Sequence, residues 1–594
     1  MISWFNSLQN TNWFSTLRRY QTLLHMGAFV LLLTAMIWMF PTTVTGLRPT
    51  DSPDRIFTVP HTFTGDSAVY DIEGLLIKDL RTADHLTLRA EGCIEQITID
   101  GAPILAQPCE LCRGCVPVKV SLPPTLAPGT HALTIRARSA SWLATFDLRQ
   151  AHGFDLIASG TCLTAGLAWL LVVRRRKMSM WAWWLVVAAM LVAVGYWNAT
   201  DPMLRQHDMS GHQEYIEYIQ VERSLPPLDT GWETFQPPLY YILSVGWIAL
   251  GTLFKTMDAW RWLQVMAIVA YIAAIVIAVW VWRKFEFPRA SGWLGLTLFA
   301  FLPTHVLMSS RINNDVLLPV WGTLAACFLW DYARRDRASS LWAASLSVLG
   351  ACMTKTSSLS LVAGAALFLA WHEWKTRRAT RQALIRLACL ILPGLVWALI
   401  WGGVGFSQTG SWLYSNTQNL PNGQLLKNNA FRYLFFDVRA LLTDPFFNTV
   451  SGRIRDSWPT SLFVSAILSE HNFAYLRWPW QSFIAASFLP LAAMLAIGIC
   501  ARPAPSVNRP WQLGLALVIG HAVFMLAYNW RYPYAPNQDA RLWAPVFFPL
   551  ALLWSWGYEV CLQKFSGVLY WLCKLSPVVF LALLAGFYSN LFAP

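Results

Sequence analysis

The sequence predicts a polytopic α-helical membrane protein with an inserted all-β sandwich, and three observations lead there. Apolar runs of about 18 to 20 residues, the length that crosses a bilayer core, recur along most of the 594 residues. Charged residues make up only 13% of the chain, where soluble domains carry about a quarter, and mean hydropathy is +0.41. Between residues 52 and 150 the pattern changes to short segments that alternate with period two.

The first apolar run, Leu23 to Phe40, follows Arg18 and Arg19 and is not followed by a small-residue cleavage site. It reads as an uncleaved anchor over 22–40, with residues 1–21 in the cytoplasm. Net charge is +13, which raises nucleic acid as a partner. The basic residues lie in short clusters between apolar runs, however, and no soluble segment presents a basic face, so nucleic acid is excluded. Those clusters are Arg174-Arg175-Arg176-Lys177, Arg283-Lys284 with Arg289, Arg334-Arg335 with Arg337, and Lys375 through Arg386. Arg502 with Arg509 and Lys564 with Lys574 complete the set. Placing all of them in the cytoplasm gives about 13 transmembrane helices. They fall near 22–40, 154–173, 181–198, 263–282, 291–308, 316–331, 341–353, 357–372, 384–401, 482–499, 511–528, 544–560 and 570–590.

Two segments need a local decision. Pro237 to Phe254 is apolar enough to cross, but a crossing there would put Arg283, Lys284 and Arg289 outside. It reads as a re-entrant or interfacial helix on the outer side. Leu341 to His372 is too long for one span at about 1.5 Å per residue, and both flanks are basic, so the chain goes out and returns with Met353-Thr354-Lys355 at the apex. Hydrophilic residues 41–153 and the loops 199–262 and 402–481 then share the outer side. The region 154–594 is the membrane-embedded catalytic part.

In the 41–153 domain, Asp100-Gly101 signals a tight hairpin between alternating segments, and seven or eight short strands suggest a sandwich. The pattern resembles the galactose-binding jelly rolls appended to carbohydrate-active enzymes. Cys93, Cys109, Cys112 and Cys115 all fall here. Outside a membrane four thiols predict two disulfides, with a zinc site as the alternative.

The segment Arg205-Gln206-His207-Asp208-Met209-Ser210-Gly211-His212-Gln213-Glu214-Tyr215 concentrates ionisable groups in a greasy chain. Met209, His212, Ile216 and Ile219 share one helical face while Glu214, Glu217 and Gln220 oppose it, which predicts an amphipathic helix at the headgroup level. Asp208 stands at its N-cap position, and capping is its structural alternative. His207 and His212 lack a third nearby ligand for zinc. Gly231-Trp232-Glu233-Thr234-Phe235-Gln236-Pro237-Pro238-Leu239-Tyr240-Tyr241 follows.

An Asp heading an interfacial helix and a later Pro-Pro-Leu-Tyr-Tyr resemble the type C (GT-C) glycosyltransferases, which include the protein O-mannosyltransferases and the lipid A aminoarabinose transferase. Leu302-Pro303 leading to Ser310-Arg311-Ile312-Asn313-Asn314-Asp315, then Met353-Thr354-Lys355, then Gln538-Asp539-Ala540-Arg541-Leu542, continue the resemblance in order over about residues 180–560. The chain departs from the aminoarabinose transferases at Gln236, where they carry a charged residue, and at Met209, where an acidic residue often follows the catalytic Asp.

The resemblance implies a sugar carried on a polyprenyl monophosphate, transferred on the periplasmic side of the inner membrane to a glycan, lipid or protein acceptor. It implies Asp208 as general base in an inverting displacement. Lys355, Arg311 and Arg541 would hold the leaving phosphate, and His207, His212, Tyr215 and Gln236 would place the donor. A divalent metal, Mg or Mn, would sit between Asp208 and Asp315. Competing structural roles are interface anchoring for Arg311 and Arg541 and helix capping for Asp315; Lys355 is harder to dismiss, because a lysine at an intramembrane turn is costly and functional by default. The loop 402–481, with Arg453 and His471, is expected to meet the acceptor. It also resembles O-antigen ligases, so a polymerase or ligase with a lipid-diphosphate donor is the alternative. A transporter is disfavoured because no internal repeat appears and the charges gather at one surface.

Overall fold

The computed structural model describes residues 41–43, 45–49, 57–58, 61–64, 69–78, 82–90, 93–106, 118–121, 129–138, 143–152, 180–199, 208–252, 259–285, 289–412, 414–415, 425–443, 457–468, 480–501 and 508–592. The chain divides into two compact units, Met1–Ser179 and Met180–Pro594. The predicted spans at 22–40 and 154–173, His207, Cys109, Cys112 and Cys115 lie outside the described residues, and with them the disulfide reading.

The first unit contains eleven described strands: β1 (Pro41–Thr43), β2 (Thr45–Pro49), β3 (Phe57–Thr58), β4 (His61–Thr64), β5 (Val69–Lys78), β6 (Thr82–Ala90), β7 (Cys93–Ile99), β8 (Ala102–Ala106), β9 (Val118–Ser121), β10 (Gly129–Arg138) and β11 (Leu143–His152). They form two antiparallel sheets. One runs β1-β11-β6-β9 with β4 also on β11, and the other runs β3-β2-β5-β10-β7-β8. Asp100 and Gly101 join β7 to β8 with φ of 50° and 79°, the paired positive angles of the type I′ turn. The strands beyond the expected seven or eight are β1 to β4, too short for a period of two to show.

The second unit is helical. Its helices are α1 (Met180–Ala199), α2 (Met209–Glu222), α3 (Leu239–Thr252), α4 (Ala259–Trp282), α5 (Arg289–Phe301), α6 (Pro303–Met308), α7 (Leu318–Arg335), α8 (Ala338–Thr354), α9 (Leu359–Lys375), α10 (Thr380–Thr409), α11 (Ala430–Leu434), α12 (Val438–Thr443), α13 (Trp458–Leu468), α14 (Trp480–Cys500), α15 (Asn508–Arg531), α16 (Phe547–Lys564) and α17 (Gly567–Phe592). Seven helices among the described residues are long and apolar enough to cross a membrane. Every predicted span from 181 onward falls on a helix, with one interruption. The span expected at 291–308 is split into α5 and α6, because Leu302 precedes Pro303 and is held extended at φ −58°, ψ 123°. Pro303 then starts the new helix, where its missing N–H costs nothing. Helix α3, at 14 residues, is too short to cross fully.

Helices α8 and α9 form the expected hairpin, and Lys355, extended at φ −154°, ψ 135°, makes its corner. Elsewhere glycine sets helix spacing. A Cβ on Gly557 of α16 would lie 1.7 Å from the Met494 carbonyl oxygen of α14, so these two backbones touch as small-residue membrane crossings do.

At the ends of α7, α9 and α10 away from Lys355, a charged cluster binds three helices together. Tyr332 donates to buried Glu373 at 2.5 Å, and Arg378 and Arg386 each donate to the Tyr332 hydroxyl, at 3.1 and 2.9 Å. Both arginines also reach Asp336, at 2.7 and 3.1 Å. Removing one partner of such a group strands the others. Glu373→Ala should therefore cost about 3 kcal/mol, the low end for a broken buried pair, since the arginines can rehydrate. Thermal unfolding in detergent checks this, and an unchanged midpoint would show that the cluster carries no stability.

Candidate active site

Helix α2 buries Met209, His212, Tyr215 and Ile216. These residues pack on Tyr240 and Tyr241 of α3, Leu263 and Met266 of α4, and Ile312 and Val316. The apolar face expected to meet lipid headgroups is thus covered by protein. His212 Nδ1 lies 2.9 Å from the Tyr241 hydroxyl. Tyr215 stacks on Tyr241 at 3.7 Å between ring centroids and donates to the Gln236 carbonyl at 3.3 Å. These bonds hold the segment 231–241 against α2. Gly211 permits the approach, since a Cβ there would come within 3.0 Å of both Trp232 Cβ and Glu233 Cγ.

Asp208 occupies the N-cap position of α2, yet its side chain makes no capping bond. Its carboxylate accepts instead from Trp232 Nε1 at 3.2 Å and from Arg541 at 3.1 Å, a residue 333 positions away. Arg541 is presented by a 3-10 turn over Ala540–Val546, capped by Asp539, whose side chain accepts from the Arg541 amide at 2.7 Å. The turn and the segment leading into it are each fastened to other parts of the chain. Ala540 donates its amide to Ser465 Oγ at 2.9 Å, and Leu426 donates to the Pro533 carbonyl at 2.7 Å.

The second ion pair joins Lys355 Nζ to Asp315 Oδ1 at 2.6 Å, with the aspartate 1% and the lysine 12% exposed. The cap of the 3-10 turn Asn314–Leu317 is Asn313, which accepts from the Asp315 amide at 2.7 Å, so capping does not occupy the Asp315 carboxylate. Arg311 is buried in the turn after α6, beside Ser310, whose carbonyl accepts from Gln264 at 2.8 Å. Its burial does not fit an interface anchor.

The two pairs share one electrostatic environment. Burial pushes the His212 imidazole down to about 3, with Asp208, Lys355, Asp315 and Arg541 all acting on it. His212 is therefore neutral, and its role in this arrangement is to hold Tyr241. Glu233 is the residue the sequence reading passed over. Burial, then repulsion from Asp208, pushes its carboxyl up to about 8 against the pull of Lys355 and Arg541. A single Glu in a mixed loop carries no periodic signal. Asp208 and Asp315, between which a divalent metal is expected, accept from Arg541 and Lys355 respectively. The described residues hold no group of three or more His, Cys, Asp or Glu side chains suited to a metal ion.

No protein-family model matches the chain, and no curated protein does. Solved structures to which it is similar include ArnT from Cupriavidus metallidurans bound to undecaprenyl phosphate, at 14% identity over 65% of this chain and 81% of that one, with a TM-score of 0.32. The Archaeoglobus fulgidus oligosaccharyltransferase is similar at 13% identity over 70% and 56%, with a TM-score of 0.40. The arabinosyltransferase EmbB from Mycobacterium smegmatis is similar at 11% identity over 95% and 60%, with a TM-score of 0.34. All three are GT-C glycosyltransferases.

Proposed function

We propose that this chain is a GT-C-type membrane glycosyltransferase that moves a hexosyl or pentosyl residue from a polyprenyl-phosphate donor to a hydroxyl acceptor. The observation that carries the reading is the Asp208–Arg541 pair, closed over 333 residues and sharing its surroundings with the Lys355–Asp315 pair. Polar groups of this kind deep in an apolar chain are costly and mark function.

The transfer is a single displacement. The acceptor oxygen forms a bond to the anomeric carbon as the bond from that carbon to the phosphate oxygen breaks, inverting the centre. The acceptor proton passes to the Asp208 carboxylate, and the electron pair of the broken bond leaves on the polyprenyl phosphate. Arg541 donates to Asp208 and Lys355 to Asp315, and a guanidinium with five N–H groups and an ammonium with three can engage phosphate oxygens as well. A phosphate that draws Arg541 toward itself also weakens its hold on Asp208 and raises the basicity of that carboxylate. Arrival of the donor phosphate thus releases the base that takes the acceptor's proton.

Sidedness follows from charge. Asp315 precedes α7 and Lys355 joins α8 to α9, whereas Arg334, Arg335, Arg337 and Lys375 stand at the far ends of those helices, roughly 25 Å away at 1.5 Å per residue. Basic ends in the cytoplasm put the reaction centre on the periplasmic face of the inner membrane. About 13 crossings and an outer β unit with disulfides complete the proposed topology.

Native mass spectrometry of the purified protein should reveal a bound polyprenyl monophosphate. Cysteines placed near residues 208 and 541 should react with an impermeant maleimide from the periplasm alone. A bound diphosphate would favour the ligase alternative, and cytoplasmic labelling at either position would end the reading.

A further inference from the structure

Glu233 is a buried carboxyl to which the displacement above gives no task. It is 6% exposed, and the turn that carries it presses on α2 at Gly211. Its backbone carbonyl accepts from the Gln236 amide at 3.0 Å, and the Gln236 side chain bonds its carboxyl. Its neighbour Trp232 donates to Asp208 at 3.2 Å, and Asp208 also accepts from Arg541 at 3.1 Å, so Glu233 stands one residue from that pair; Asp208, Lys355 and Arg541 all act on its charge. Tyr241 of α3 and Tyr528 of α15 feel its charge in turn. The Asp208–Arg541 and Asp315–Lys355 pairs cancel, so ionisation of Glu233 adds one uncompensated negative charge to these two pairs.

We propose that Glu233 is a positioning residue that sets the affinity of this centre for its anionic lipid phosphate: protonated, it leaves Lys355 and Arg541 to the phosphate, and ionised, it competes for both. The inference rests on the function proposed above. Its supporting electrostatics have a definite sign. With the carboxyl pushed up to about 8, Glu233 holds its proton at neutral pH and loses it on the alkaline side. A negative charge then appears in a poorly screened site beside the phosphate. Binding should weaken as pH rises through that range.

The test uses the full chain in detergent with undecaprenyl phosphate as the probe. A phosphate monoester has its second pKa near 6, so the probe is already about nine-tenths dianionic at pH 7 and its charge changes little from there to pH 9. The wild-type dissociation constant should rise about tenfold over that interval, one decade for the unit above the midpoint. Glu233→Gln, neutral at every pH and close in shape, should bind as tightly as wild type at pH 7 and lose most of the rise. A flat wild-type profile, a rise that persists in Glu233→Gln, or a Gln variant already tenfold weaker at pH 7 would each overturn the assignment. If Glu233→Gln does not fold, Gln236→Met carries the test. Loss of the bond that favours the ionised form should move the rise to higher pH, and an unmoved or lowered midpoint refutes the idea. A wild-type protein that binds no undecaprenyl phosphate at either pH sinks the proposed function as well, whereas pH-independent binding sinks only the part given to Glu233.

Discussion

Asp208→Asn lowers kcat by about 10² to 10⁴, the usual contribution of a positioned base, and leaves polyprenyl-phosphate binding intact or tighter. The two readouts move apart for a structural reason. The asparagine amide oxygen still accepts from Trp232 Nε1, so the segment 231–241 keeps its place. Arg541 loses its carboxylate, but at 12% exposure it retains some water and gains freedom to engage phosphate. A merely structural Asp208 would lower stability and binding together. A variant that turns over at near wild-type rate would remove the base from the mechanism, whatever its effect on folding.

The second large effect is expected at Lys355. Lys355→Met leaves Asp315 charged at 1% exposure with its counter-ion gone, at a cost of about 3–5 kcal/mol. Loss of activity in that variant alone would thus say little. Adding Asp315→Asn removes the stranded charge and should restore the thermal midpoint to near wild type. Activity should not return, because the ammonium that would meet the leaving phosphate is still missing, and removing one such donor costs about 10² to 10³ in kcat. Recovery of turnover in the double variant would reduce Lys355 to a structural counter-ion for Asp315.

Much of the helical unit was legible because apolar run length and basic flanks are local properties. The hairpin at Lys355 could be read from a segment too long for one crossing and too basic at both ends. The break at Pro303 was also local, but the apolar run hid it. What one chain cannot announce is which distant residues meet. Arg541 and Lys355 were both candidates for phosphate, and nothing in their spacing said that each already holds a carboxylate. Helix α2 shows the same limit from the other side. Its amphipathic pattern gave the correct buried face, yet periodicity does not tell whether lipid or protein covers it. Glu233 was missed because burial, the property that makes it notable, is created only when the 231–241 segment folds onto Gly211.

The Asp315–Lys355 pair also bears on how the chain enters its membrane. The two charges are 40 residues apart, so during synthesis Asp315 reaches the bilayer before its neutralising lysine has left the ribosome. A lone charge at the centre of an inserting helix carries a penalty of about 2.5–3.5 kcal/mol, and Asp315, at the outer end of α7, carries a smaller one. What remains of that penalty is cancelled when the corner of the α8–α9 hairpin brings in the opposite charge.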